Sequence, residues 1–425
     1  MSGRDCDIAI VGGGLAGGLI ALALARSRSD LAVRLIESGP KLGGNHRWSW
    51  FESDLSPAGR ELMQAFRQSR WDAGHDVRFP GFARTLSTPY RSLSSADFAG
   101  DLEHLLLQGT IRTDAPVEDL AADTVRLATG ERVRARAVID CRGFEPTGDL
   151  SGGWQVFMGR RLRMQPPHGI DRPVIMDATV EQLGGYRFVY VLPLAKDELF
   201  VEDTYYQDTP ALDRSALSAR LDQYCAANGW GGDVVGEETG VLPVVTGGDF
   251  TAFQRAQRIE GAAVAGARGG FVHPLTSYTL PFAVETALAI AADADLPGPQ
   301  LAAMLEARAR RHWDDTRFYR HLGAMLFGAA LPDERWRVFA RFYRLPEPLI
   351  ERFYAGRSTL ADRARILCGR PPVPIGRALR AILPHRGRGT LRSTVEGHAP
   401  PAERRRRAPF HQPAAGPPPR SGEDA

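Results

Sequence analysis

Gly12, Gly14 and Gly17 are the first residues in the chain whose type and spacing point to chemistry. In a G-x-G-x-x-G turn the first glycine makes the tight bend and the second lets backbone approach a pyrophosphate. The third lets the following helix pack closely on its strand. Leu15 and Ala16 open that helix, whose N-terminal N–H groups and positive dipole end suit phosphate oxygens. Farther on, Glu37 closes the apolar run Leu31-Ala-Val-Arg-Leu-Ile, at the separation where a carboxylate accepts hydrogen bonds from a ribose diol. A glycine-rich turn with no ligand is the competing reading. The ordered succession of strand, turn, helix and second strand favours a dinucleotide.

The adjacent carboxylates Glu202 and Asp203 are a second candidate pair, set in a run of strand character. Neighbours on a strand point to opposite faces, so one can face an apolar interior while the other serves structure or solvent. A carboxyl walled off from water keeps its proton and becomes an acid. On an outer face the same group is a solvated charge, and the pair alone leaves both readings open.

Elements that must position these groups follow in chain order. After Gly39-Pro-Lys-Leu-Gly-Gly44 comes Asn45-His-Arg-Trp-Ser-Trp-Phe51, a polar and aromatic segment that is either pocket lining or local core. Apolar periodicity predicts a helix over 94–107 with Ser94 as N-cap. Alternation over 117–140 around Thr129-Gly130 predicts a hairpin that returns a strand ending in Asp140. Runs at 174–180, 186–194 and 198–204 predict an antiparallel sheet, a good wall for a large hydrophobic ligand. Residues 262–281 read as a short strand, a glycine-rich loop around Gly266 and a helix start, with His273-Pro274 in the loop; the helix runs on over 282–294.

The expected fold is α/β: a Rossmann-type nucleotide domain from residues 1–150 and 255–300, and an antiparallel-sheet substrate domain over 151–254. A C-terminal helical region over 301–385 and a disordered basic, Pro-rich tail over 386–425 complete it. The tail carries Arg404-Arg-Arg-Arg407 and Pro417-Pro-Pro419, too little apolar surface to offset its ordering entropy.

The chain has 425 residues, enough for two or three domains, with 43% hydrophobic and 24% charged residues, the proportions of a globular protein. A formal charge of +3 gives no general affinity for nucleic acid. Cys6, Cys141, Cys225 and Cys368 stand singly, against a zinc site, a redox pair or a disulfide-stapled fold, and no metal is expected. Few residues precede the first strand, leaving no room for a signal peptide, and no apolar run is long enough to span a bilayer. Residues 300–383 mix Trp313, Phe318, Tyr319, Met325, Leu326, Phe327, Trp336, Phe339, Phe342 and Tyr343 with Arg335, Arg337, Arg341, Arg344 and Arg352. Core packing is one explanation and an interfacial helix on anionic lipid the other. A cytoplasmic protein held at the inner face of the cytoplasmic membrane is the expectation.

The N-terminal fingerprint followed by a second glycine pair resembles FAD-dependent proteins of the glutathione-reductase-like class. The longer succession closely resembles bacterial lycopene β-cyclases: Gly12-Gly-Gly-Leu-Ala, Gly43-Gly-Asn-His-Arg-Trp-Ser, Arg136-Ala-Val-Ile-Asp, Ile175-Met-Asp-Ala-Thr-Val, Gly185-Tyr-Arg-Phe-Val-Tyr-Val-Leu-Pro-Leu, Val201-Glu-Asp-Thr, His273-Pro and Tyr278-Thr-Leu-Pro. It covers about residues 5 to 383.

The resemblance implies a membrane-associated enzyme that turns the acyclic ends of lycopene into β-ionone rings, giving γ-carotene and then β-carotene. It implies FAD in reduced form, with NAD(P)H as electron source and no net redox change. It places the catalytic acid at Glu202, with Asp203 beside it and Asp177, Arg187 and His273 as further candidates. Cofactor contacts are expected from Gly12, Gly14, Leu15, Ala16, Gly17, Glu37, Gly44, Asp140, Gly266, His273 and Pro274.

Three departures stand out: Thr276-Ser277-Tyr278 where Thr-Gly-Tyr is usual, Asp140-Cys-Arg-Gly143 for Asp-Gly-Arg-Gly, and Gly18 where Asn is frequent. Competing functions on the same fold are a flavin monooxygenase, a reductase of isoprenoid double bonds and a non-catalytic isoprenoid carrier. Gly266-Ala-Arg268 in place of a Gly-Asp pair argues against the monooxygenase, and Glu202-Asp203 within an apolar sheet argues against the carrier.

Overall fold

The computed structural model describes residues 3–369, 373–382 and 389–392. Strand Ile8–Val11 is buried along its whole length, as a strand covered on both faces must be. It pairs in parallel with Val33–Ile36 on one side and Ala137–Asp140 on the other. Ala263–Val264 and Ile111–Arg112 complete a five-stranded parallel sheet. Helices Leu15–Ser27 and Leu280–Ala292 pack in the same apolar cluster as this sheet, through Leu19, Ile20, Leu24, Val284 and Ala287. This is the expected Rossmann-type half.

The hairpin at Gly130 is present between Thr124–Leu127 and Arg132–Arg134, with Val117–Leu120 as third strand. Helix Ser95–Leu105 is capped by the Ser94 hydroxyl, which accepts from the Asp97 N–H.

A seven-stranded sheet forms the second layer. Its order is Asp233–Gly248, Leu150–Arg163, Glu198–Gln207, Tyr186–Ala195, Val174–Asp177, His75–Phe79, Phe82–Leu86. All neighbours are antiparallel except Val174–Asp177 with His75–Phe79. Residues 75–86 thus hydrogen-bond into this sheet although chain order groups them with the nucleotide half. Alternation along Glu198–Gln207 divides the sheet's two faces. Leu199, Val201 and Tyr205 pack with Leu217 and Leu221 of helix Arg214–Ala227, while Phe200 and Tyr206 pack with Tyr186, Phe188 and the C-terminal helices.

Those helices resolve the aromatic stripes in favour of core for several members. Tyr319 and Tyr343 are wholly buried, and Phe339 stacks on Tyr186 with ring centroids 4.1 Å apart. Arg335, expected among the lipid-facing cations, is 2% exposed; its guanidinium donates to the carbonyls of Tyr206 and Phe327.

The boundary of the tail also needs correction. Leu391 is fully buried; its N–H donates to Leu150 O, and its carbonyl accepts from Thr147 N–H. One apolar residue and three backbone hydrogen bonds, the third from Gly152 N–H to Gly389 O, therefore hold 389–392 against the start of the long strand. Residues 393–425, with the four arginines and three prolines, lie outside the described residues. Among the described residues no helix is long and apolar enough to cross a membrane.

Candidate active site

The glycines of the nucleotide turn are used differently. Gly12 has φ +101°, and a Cβ there would stand 2.7 Å from Cys141 O; a Cβ at Gly17 would stand 2.0 Å from Gly12 O. Backbone on both sides excludes any side chain. Gly14 caps helix Leu15–Ser27 without a side-chain hydrogen bond, and a Cβ on it would meet no atom within 4 Å. The amides opening at Leu15 and Ala16 are approachable from that side, which fits a pyrophosphate. Glu37 sits beside the turn. Its carboxylate accepts from Gly13 N–H at 2.7 Å, Gly39 N–H at 2.8 Å and the Ser38 hydroxyl at 3.0 Å.

Asp140 ends its strand fully buried, paired with Arg142 at 2.9 Å and Arg268 at 3.0 Å. It braces the junction of two loops. Gly266 takes φ +64°, and a Cβ there would press on Ala16 at 2.8 Å, so the late loop and the nucleotide helix meet through it.

His273 and Pro274 are buried. The His273 Nδ1 accepts from the N–H groups of Leu275 and Thr276, and Nε2 faces Phe353 O at 3.2 Å. That pattern fixes the neutral, Nε2-protonated ring. Burial pulls its pKa down to about 3. Its visible work is to fold the turn that presents Tyr278. Ser277 in that turn adopts φ +59°, the region a glycine would occupy, and its hydroxyl donates to Pro243 O at 2.8 Å.

From the nucleotide turn the chain reaches the large sheet through residues 43–47. Gly43 and Gly44 take φ of +81° and +74°, Gly43 N–H donates to Gly13 O at 2.9 Å, and the Asn45 amide donates to Glu237 O at 3.1 Å. Trp48, Trp50 and Phe51 are core, whereas His46 and Arg47 are half-buried.

Arg47 lies close enough to Glu202 and Glu238 to lower the pKa of each carboxyl. The two acids occupy one row, because Gly159 pairs with Glu202 on one side and Glu238 on the other. Glu202 accepts from the Thr204 hydroxyl at 2.9 Å. Burial raises its pKa well above the ordinary carboxylate range; Glu238 adds to that, and the Thr204 hydrogen bond opposes it. Glu238 is raised as well, by burial, against the pull of Arg47 and Arg161. Glu202 nonetheless keeps some accessible surface, as do Tyr190 and Tyr278. Tyr190 pairs in register with Glu202, and the Tyr90 and Tyr278 hydroxyls are 3.2 Å apart.

Asp203 points to the other face. It is fully buried and held by Arg187 at 2.9 Å and the Tyr205 hydroxyl at 3.0 Å. Asp177 accepts from the Tyr224 hydroxyl at 2.8 Å and from the Thr179 N–H. The carboxylates therefore divide: Glu202 and Glu238 share the aromatic face, Asp203 belongs to a buried ion pair, and Asp177 anchors helix Arg214–Ala227. Sequence reasoning missed Glu238 and Tyr90, and it gave Arg47, Tyr190 and Tyr278 no role of their own within the segments that contain them. A groove of about 760 Å³ lies elsewhere, between residues 120–123 and 253–262, and contains none of these acids.

A profile of the lycopene cyclase protein family matches residues 7–380. The lycopene beta-cyclase of Pseudescherichia vulneris is 44% identical over 380 residues, 89% of this chain and 97% of that protein. For the lycopene beta-cyclase of Pantoea ananas the values are 41% over 383 residues, 89% and 98%. Among solved structures, a geranylgeranyl bacteriochlorophyll reductase-like protein from Thermoplasma acidophilum matches with a TM-score of 0.56 at 13% identity, over 89% of this chain and 99% of its own. A flavin-dependent halogenase from Brevundimonas matches at 0.52 and 14%, over 88% and 95%. At those identities the likeness is one of fold.

Proposed function

The chain belongs to the lycopene cyclase family, and from that premise we propose that it is a lycopene β-cyclase in which Glu202 is the acid that starts ring closure. The product of one closure is γ-carotene and of two, β-carotene. The observation that carries the acid assignment is the setting of Glu202: a carboxyl on the aromatic face of the sheet, raised by burial, with accessible surface left to meet a substrate.

Each closure needs a proton at C2 of the terminal alkene, attack of the C5=C6 bond on the resulting cation at C1, and loss of a proton from C6. Raised proton affinity keeps Glu202 protonated near neutral pH, so the donor form is the resting form. Tyr190 and Tyr278, with Tyr90 behind them, offer aromatic faces that stabilise a nearby cation and keep out water that would trap it. Asp203 and Arg187 fix the strand that carries the acid.

The nucleotide half suits FAD. Gly12, Gly14 and the amides at Leu15, Ala16 and Gly17 would hold the pyrophosphate, and Glu37 the ribose; Gly44, Asp140, Gly266, His273 and Pro274 shape the loops around them. When bound, reduced FAD would supply negative charge that stabilises the cation without transferring hydride, and NADPH would be its source of electrons.

A carotenoid dissolves in lipid, and the C-terminal helices suit a membrane surface. Leu360, Leu367, Ile375 and Leu379 are 55 to 81% exposed, on helices that also carry Arg363, Arg365, Arg377 and Arg380. Such a face rests on anionic lipid. Protein floating with anionic liposomes, and a Leu379→Glu variant that stays behind, are the expected results.

Expression in a lycopene-accumulating host tests the activity. The pigment should change its absorption without changing mass; an added oxygen or two hydrogens would replace this reading by oxygenation or reduction. Glu202→Gln should retain FAD and lose at least about a hundredfold in rate. A fully active variant would remove Glu202 from the acid role.

A further inference from the structure

Glu238 has no part in the chemistry so far, yet its placement is unusual. It stands on strand Asp233–Gly248, separated from Glu202 by strand Leu150–Arg163, and both register with Gly159. Two strand spacings put the Cα atoms roughly 9.6 Å apart, a gap that two glutamate side chains on one face can close. Glycine makes this possible. A Cβ at 159 would stand 3.3 Å from the Glu238 Cγ and 2.4 Å from the Phe200 ring, so any other residue would crowd the space between the acids. The Glu238 Oε1 is buried without a hydrogen-bond partner among the described residues. A buried carboxylate oxygen left unpaired is costly unless a proton or a ligand meets it.

Charged and titratable groups face this pair from several elements. Arg47 comes from strand Arg47–Phe51 and Arg161 from the intervening strand; Asp203 lies behind Glu202. Asp97 and Glu198 act on Arg47, and Tyr90 and Tyr190 feel the Glu202 charge. Neither acid is neutralised by a direct salt bridge among those described. With repulsion between two close carboxylates, one proton shared by the pair is the stable occupancy.

We propose that Glu238 is the base partner of Glu202 in ring closure, taking the proton that leaves C6 and returning it to Glu202. The proposal rests on Glu202 being the acid. The O–H bond of Glu202 breaks as the C1=C2 electron pair forms the new C–H bond at C2, leaving the charge on C1. The C5=C6 pair forms the C1–C6 bond, moving the charge to C5. The C6–H bond then breaks, its electrons restore C5=C6, and the proton goes to the Glu238 carboxylate. Transfer from Glu238 to Glu202 resets the pair. Protons balance and no oxidant or reductant is consumed.

The test compares wild type, Glu238→Gln, Glu238→Asp and Glu202→Gln as FAD-loaded protein, with lycopene in anionic vesicles and chemically reduced flavin. Because Glu202 donates only when protonated, the rate falls as pH rises through its pKa. Removing the Glu238 charge lowers that pKa, so Glu238→Gln should lose activity at a pH lower by roughly one unit or more, with kcat reduced about tenfold or more and KM little changed. Glu238→Asp keeps the charge but shortens the reach, so its pH midpoint and infrared titration should follow wild type while its kcat falls. Infrared titration of the protonated carboxyl that disappears in Glu202→Gln gives the same shift without turnover. Coincident profiles and titrations in wild type and Glu238→Gln would overturn the proposal. Should Glu238→Gln fail to fold, a Glu238→Asp protein whose kcat does not fall despite the shortened reach overturns it equally. An active Glu202→Gln would instead overturn the acid assignment beneath it.

Discussion

Arg187 reaches along its strand pair to hold Asp203, with Nε 2.9 and 3.2 Å from the two carboxylate oxygens, on the side of the sheet opposite Glu202. Both partners are buried, with side chains 8% and 0% exposed. Removing one partner strands the other charge, so Asp203→Ala should cost about 3 kcal/mol or more in urea unfolding. Replacing both, as Arg187→Met with Asp203→Leu, should recover most of that stability. A double variant as unstable as the single one would mean that the pair does more than cancel its own charges.

Gly14 and Gly17 should separate cofactor binding from folding. At position 17 an added methyl meets the Gly12 carbonyl at 2.0 Å, backbone that cannot yield, and Gly17→Ala should lose both stability and FAD. Gly14 has φ −72° and open space around it, so Gly14→Ala should unfold within about 1 kcal/mol of wild type. Its FAD affinity should fall about tenfold or more, since backbone approach to the pyrophosphate is lost. Flavin absorbance after desalting, set beside thermal unfolding, reads both.

Ser277 answers the question raised by its departure from glycine. The backbone already takes φ +59°, and the hydroxyl bond to Pro243 O offsets the strain of that region. Ser277→Gly should therefore change stability by no more than about 1 kcal/mol and leave turnover intact.

His273 carries a pH signature of definite sign. Its folded pKa, about 3, lies below the unfolded value near 6.5, so its contribution is present above pH 6.5 and is lost as pH falls toward 3. Between pH 6.5 and 5 the wild type should lose about 2 kcal/mol more unfolding free energy than His273→Gln. Equal losses would show that the ring is protonated or exposed in the folded protein.

Much of the nucleotide half was legible because its signals are local. Gly12, Gly14, Gly17 and Glu37 announce a turn and a strand end through spacing alone, and the runs 186–194 and 198–204 announce sheet strands through their aromatic and β-branched content. Opposite faces for Glu202 and Asp203 followed from period two. What escaped notice depends on pairing between distant strands. Nothing near Glu238 says that Gly159 will align it with Glu202, and nothing near residues 75–86 says that they will leave the nucleotide half for the large sheet. Arg335 reads as a surface cation until the carbonyls of Tyr206 and Phe327 are brought to it. Leu391 was a single apolar residue in a polar context, too little pattern to mark a docking point.

The run 43–47 touches the nucleotide turn at Gly13 and the acidic strand at Glu237, and it places Arg47 beside both acids. A strut that touches both places can link their equilibria, and any such link is reciprocal. Whatever loading with dinucleotide does to the proton occupancy of Glu202 and Glu238, protonation does in equal measure to loading. With FAD as the proposed cofactor, its retention should then vary with acidity, and preparations equilibrated at different pH would be different thermodynamic starting points for the same catalyst.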